Sequence, residues 1–61
     1  MNYAVYVSCE LEGEHRVCFL GARHFFFQAE SLIVDFVFNE ELDDFLYNAE
    51  ADTVAYTVVE L

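Results

Sequence analysis

One stretch constrains the fold more than any other: residues 32–48, where the apolar run Leu32-Ile33-Val34-Asp35-Phe36-Val37-Phe38 meets the acidic segment Asn39-Glu40-Glu41-Leu42-Asp43-Asp44-Phe45-Leu46-Tyr47-Asn48. At roughly 100° per residue, one helix through both halves would set Asp43 between Leu32 and Phe36, and Val34 and Phe38 near Glu41, so no apolar stripe survives. The stretch therefore divides at Asn39. Beyond it, Leu42, Phe45, Leu46 and Ala49 recur at i, i+3, i+4, i+7 with Glu40, Glu41, Asp43 and Asp44 off that stripe. This predicts an acidic helix N-capped by Asn39, its acids facing the positive end of the helix dipole. Before it, residues 32–38 are short, β-branched and aromatic with no helical period, which suits a strand buried on both faces. A short helix over 31–38, started by Ser31, stays open, because periodicity alone does not separate a buried strand from a buried helix.

The flanking segments read as β structure. Tyr3, Val5, Val7 and Cys9 alternate with Ala4, Tyr6, Ser8 and Glu10, and Gly13 supplies the turn into a returning strand from His15 to Leu20. A three-residue loop, Leu11 to Gly13 with Gly13 left-handed, would set Cys9 opposite His15, Val7 opposite Val17 and Val5 opposite Phe19. A four-residue loop, Glu12 to His15, would set Cys9 opposite Cys18 and mix the faces. Gly21-Ala22-Arg23 breaks the strand as a bulge or short turn, and His24 to Gln28 reads as a further strand or extension. Ala49 to Asp52 is a polar link into a last strand over Thr53 to Leu61. The expected class is α+β, a single domain over 1–61. It holds a small antiparallel-rich sheet (N-terminal hairpin, C-terminal strand) with one acidic helix on one face. If 31–38 is helical, the order becomes ββαβ within the same class.

Size and composition then argue for a partner. In a chain of 61 residues one core rarely yields more than about 3–5 kcal/mol. Yet the chain is 57% hydrophobic, with seven Phe and four Tyr, more apolar surface than so small a core hides. A homodimer is expected. Three consecutive aromatics cannot all face one core from a strand, which makes Phe25, Phe26 and Phe27 the candidate self-association residues.

Charge narrows what kind of external partner suits the chain. Twelve Asp and Glu stand against only Arg16 and Arg23, with no Lys and a net charge of −10. Such a surface repels nucleic-acid phosphates and anionic membranes and attracts a basic protein surface. Acidic disorder is disfavoured, since disordered chains are poor in the aromatic and β-branched residues abundant here. No basic leader segment or membrane-length apolar run is visible, so a cytoplasmic location and free thiols are expected.

No chemistry-bearing motif stands out. Cys9, His15, Cys18 and His24 are the correct ligand types for zinc, but the spacing is not a finger pattern and the favoured register turns Cys18 away from Cys9 and His15. Ser8 and Ser31 have no base in a recognisable motif, no glycine-rich phosphate loop exists, and the carboxylates read as a solvated face rather than a desolvated acid–base pair. Neither catalysis nor a cofactor nor a metal is expected. What the acids do is cluster: Glu10, Glu12 and Glu14 through the hairpin end, Glu40, Glu41, Asp43 and Asp44 over the first helical turns, then Glu50 and Asp52. In an extended segment, carboxylates two residues apart lie roughly 6.7 Å apart, and such a row can occupy Arg and Lys sites that normally hold phosphates. The first two groups are the candidate partner-binding residues; the alternative is that they serve solubility alone.

A tiny, acidic, aromatic-rich chain without lysine or a catalytic motif resembles, as a class, the small inhibitors that bacteriophages encode against host defence or nucleic-acid enzymes. These include anti-CRISPR proteins, glycosylase inhibitors and RNA polymerase inhibitors, several of which mimic DNA phosphates. The resemblance rests on size and charge across the whole chain and carries over no individual residue. It implies an inhibitor acting in the host cytoplasm.

Overall fold

The computed structural model describes residues 1–46 and 53–61. Its elements are β1 (Tyr3–Leu11), β2 (Glu14–Arg23), α1 (Phe26–Phe38), α2 (Glu41–Phe45) and β3 (Thr53–Glu60). The α+β class holds, with the N-terminal hairpin, the C-terminal strand and a helix on one face of a three-stranded antiparallel sheet of order β2-β1-β3. The element order, however, is ββααβ.

The hairpin turns on two residues, not three. Glu12 and Gly13 both take positive φ, 53° and 80°, the backbone that lets a two-residue turn match the twist of its strands. The expected loop gave the left-handed conformation to Gly13 alone. Because Glu12 adopts it too, the pairings from Leu11 to Tyr6 slip by one: Cys9 lies opposite Arg16 and Val7 opposite Cys18. Cys18 therefore shares a face with Cys9 and Val7, and His15, opposite Glu10, moves to the other face. Farther along, Val5 pairs with Gly21 and Tyr6 with Phe19, leaving Leu20 as the extra residue of a β-bulge. The strand bends there and continues to Arg23.

Central β1 supplies the core. Val5, Val7, Cys9 and Leu11 point to one face and are all buried, flanked by half-buried Cys18 and Leu20 of β2 and Tyr56 and Val58 of β3. The cover over them is α1, and this overturns the strands expected at 32–38 and at 24–28. Ala29, Leu32, Ile33 and Phe36 fall at i, i+3, i+4, i+7 and form the inward stripe, with Ala29 and Phe36 buried. That period starts three residues upstream of the apolar run. It is also masked, because the opposite side of the helix carries Phe27, Val34 and Phe38 and so gives no polar contrast. Tertiary burial overrides the β-branched propensity.

The capping roles change accordingly. Asn39 ends α1, its N–H donating to the Asp35 carbonyl at 2.9 Å, instead of starting the acidic helix. Glu40 precedes α2 in the left-handed conformation, φ 62°, and its N–H donates to the Val37 carbonyl at 3.2 Å. The acidic helix is a five-residue turn, too short to cover the sheet. Its apolar stripe nonetheless packs as expected, with Leu42, Phe45 and Leu46 against Cys9 and Leu11, and the Phe45 ring edge-on to Phe36 at 6.2 Å. Tyr47, Asn48, Ala49 and the polar link with Glu50 and Asp52 lie outside the described residues. Among the described residues, no helix is long and apolar enough to cross a membrane.

Candidate protein-binding surface: the acidic end

The helices carry Glu40, Glu41, Asp43 and Asp44 to one end of an elongated molecule, 36 Å in its longest dimension, while Glu30 and Asp35 lie along α1 and Glu60 pairs with Tyr3 at the other end. At its start, α1 lies beside the open end of the hairpin, where the Phe26 ring meets Tyr3 edge-on at 5.6 Å. At its finish it reaches the turn end, where α2 sits on Leu11. Glu12 and Glu14 of the hairpin thereby share an end with Glu40, Glu41, Asp43 and Asp44, residues about 30 positions away in sequence, and all six are exposed. The C-terminus of α1 points the same way with no basic residue in its last turn, adding roughly half a negative charge from its free carbonyls.

Not every expected acid joins this group. Glu10 projects from the opposite sheet face, where its Oε1 lies 3.3 Å from Nδ1 of His15. The even row of Glu10, Glu12 and Glu14 is thus broken by the turn. The two arginines are divided as well. Arg16 Nη2 stands 3.8 Å from Glu14 Oε2 and tempers one flank of the acidic end, whereas Arg23 sits at the far end opposite Tyr3 and donates to the Ala22 carbonyl at 2.7 Å.

Backbone strain falls on the same group. Among the described residues, the non-glycine positions with positive φ are Glu12 and Glu40. Asn or Gly would occupy either conformation at lower cost, and a long β-methylene side chain there costs of the order of 1 kcal/mol. Both strained positions therefore hold a carboxylate where local structure favours another residue. The sequence carried a signal for this: Glu precedes Gly13 where Asn or Asp is the usual choice, and Glu40 follows Asn39 with no glycine to end the helix.

The candidate zinc ligands are dispersed. Cys9 is buried, Cys18 is half-buried on the same face, both are free thiols, His15 is on the opposite face, and His24 lies at the open end with Nδ1 3.5 Å from Asn2 Oδ1. Among the described residues, no His, Cys, Asp and Glu side chains are grouped to hold a metal.

Apolar surface is the second feature of the exterior. Phe25, Phe26 and Phe27 do not form a strand: Phe25 precedes α1 in extended conformation, and its ring stacks on Phe27 at 5.8 Å. All three are about half exposed or more. Sequence reasoning missed Val34 and Phe38 as members of the same exposed surface. Their spacing from Phe27, seven and eleven residues, was legible once the segment is read as a helix from residue 26.

No protein-family model matches this chain, and neither a curated protein nor a solved structure matches it.

Proposed function

We propose that this protein is a non-enzymatic, phage-type inhibitor whose acidic end occupies a basic, nucleic-acid-binding surface of a host enzyme or defence complex, in the host cytoplasm. The observation that supports this reading is the convergence of two sequence-distant acidic groups, Glu12 with Glu14 and Glu40 with Glu41, Asp43 and Asp44, on one end of the molecule. Clustered carboxylates held on a folded frame present charge to Arg and Lys side chains as a phosphate backbone does, and steer association with a basic partner. A purely solubilising role needs only net charge. It does not call for acids at Glu12 and Glu40, where the backbone disfavours them. Affinity capture from a host lysate, washed at rising salt, tests the reading: nucleic-acid-binding proteins released by moderate salt are the expected catch, and a catch insensitive to salt would contradict it.

A second reading, self-association, is favoured by a different observation, the exposure of Phe27, Val34 and Phe38 on one helix and of Phe25 just before it. The two are compatible, because the apolar residues line the outward side of α1 up to Phe38 whereas the acids of the second group lie beyond its end, from Glu40 on.

A further inference from the structure

The outward side of α1 carries its own repeat. At roughly 100° per residue, Phe27, Ser31, Val34 and Phe38 fall within roughly 60° of one another, opposite the inward stripe. Their spacing of four, three and four residues is that of the apolar seam of a coiled coil. Exposure is 66% at Phe27, 63% at Val34 and 84% at Phe38. The one polar member, Ser31, donates its hydroxyl to the Phe27 carbonyl at 3.1 Å, so it needs no other partner. Gln28 and Asp35 flank the seam on one side, Glu30 and Val37 on the other.

This pattern is symmetric about the middle of the helix. Reversing a second copy against the first sets Phe27 opposite Phe38 and Ser31 opposite Val34, so that two large rings share a layer and the small Ser31 leaves room for the branched valine. Charge fixes the direction. In an antiparallel pair the flanking residues meet like with like along each side: Gln28 with Asp35 of the second copy, an amide donor to a carboxylate, and Glu30 with Val37. A parallel pair would set Glu30 against Asp35 of the second copy, carboxylate against carboxylate, and would bring the two acidic ends together. We propose that the protein forms an antiparallel homodimer through the Phe27, Ser31, Val34, Phe38 seam of α1, with the two acidic ends pointing apart. The inference rests on the self-association reading and supplies its surface and geometry.

The extent of the surface agrees with a reversible dimer. With Phe25 stacked beside Phe27 and Val37 at the rim, the seam buries roughly 1,000 Å² over both copies, near the lower bound for a specific interface. The outer face of the sheet is a poorer candidate. Its apolar residues, Tyr6 packed on Phe19 with Val17, Val59, Ala4, Ala22 and Ala55, are interleaved with Ser8, Glu10, His15, Thr53 and Thr57, a more polar mixture than the seam.

Sedimentation equilibrium on the full chain tests this. The wild type is expected to dimerise in the micromolar range, and Phe38→Asp and Val34→Asp to be monomeric with unchanged far-ultraviolet circular dichroism. Two further variants read the direction. Gln28→Lys gains an ion pair with Asp35 only in the antiparallel dimer, so it should tighten association about tenfold. Glu30→Lys removes more negative charge but faces Val37 and should tighten it less. The reverse order would overturn the antiparallel geometry. A dimer that survives Phe38→Asp but is lost in Phe19→Asp would overturn the helix seam while leaving self-association standing. A chain that stays monomeric up to about 500 µM would overturn both.

Discussion

Leu32 occupies the space that a side chain on Gly21 would need. A β-carbon at Gly21 would lie 3.2 Å from Leu32 Cδ1 and 3.4 Å from the nearer Arg23 guanidinium nitrogen, and the backbone there has φ +148°. The bulge at Leu20 and the glycine beside it thus let α1 approach β2 closely. Gly21→Ala is expected to destabilise by about 2 kcal/mol, combining backbone strain with a contact that Leu32 must yield to. A fall in the urea midpoint at constant slope checks it.

The strained carboxylates give a prediction with two signs. Glu12→Asn and Glu40→Gly should each raise stability by about 0.5–1 kcal/mol, because the new residues suit positive φ. Each should also weaken binding to a basic partner. Stabilisation without any loss of binding would assign these acids to solubility alone.

Tyr56 supplies an alkaline signature. It lies opposite Val7 on the helix-covered face, and burial pushes its hydroxyl above the ordinary value of 10.0. A raised folded-state value means that the folded chain holds the proton longer than the unfolded one. Its contribution is therefore fully present below the unfolded value and is lost as pH rises through the folded one. Thermal melts above pH about 10 should fall less steeply for Tyr56→Phe than for wild type.

Metal is not expected to matter. Cys9 is buried and His15 projects from the other face of the sheet, so the four candidate ligands do not converge. Elemental analysis of purified protein should find no equimolar zinc, and chelator should leave the melting temperature unchanged. Equimolar zinc would require a hairpin register other than the one described.

How far the sequence could be read depends on what each segment packs against. The hairpin and last strand were legible because alternation in Tyr3 to Glu10 and β-branched composition in Thr53 to Val59 report a sheet directly. The register was not, since positive φ at Glu12 moves the pairings next to the turn by one residue and the bulge at Leu20 moves those beyond it by another. Residues 26–38 misled for the reason that makes them interesting. A helix apolar on both sides has little amphipathic contrast, and its β-branched residues imitate a buried strand. The acidic groups were visible as groups, and the break at Asn39 was correctly located. Their meeting was not visible, because it depends on Leu42, Phe45 and Leu46 closing over Leu11.

The acidic end is tested most directly by competition. A captured basic partner is bound to a labelled DNA or RNA duplex, and unlabelled wild-type protein is titrated against a chain carrying Glu40→Gln, Glu41→Gln, Asp43→Asn and Asp44→Asn, with folding of both verified by circular dichroism. The expected result is displacement of the nucleic acid by wild type, weakening steeply as salt rises, and at least a hundredfold loss for the neutralised chain. Equal displacement by both chains, or a wild-type affinity indifferent to salt, would contradict the proposal that these carboxylates stand in for phosphates.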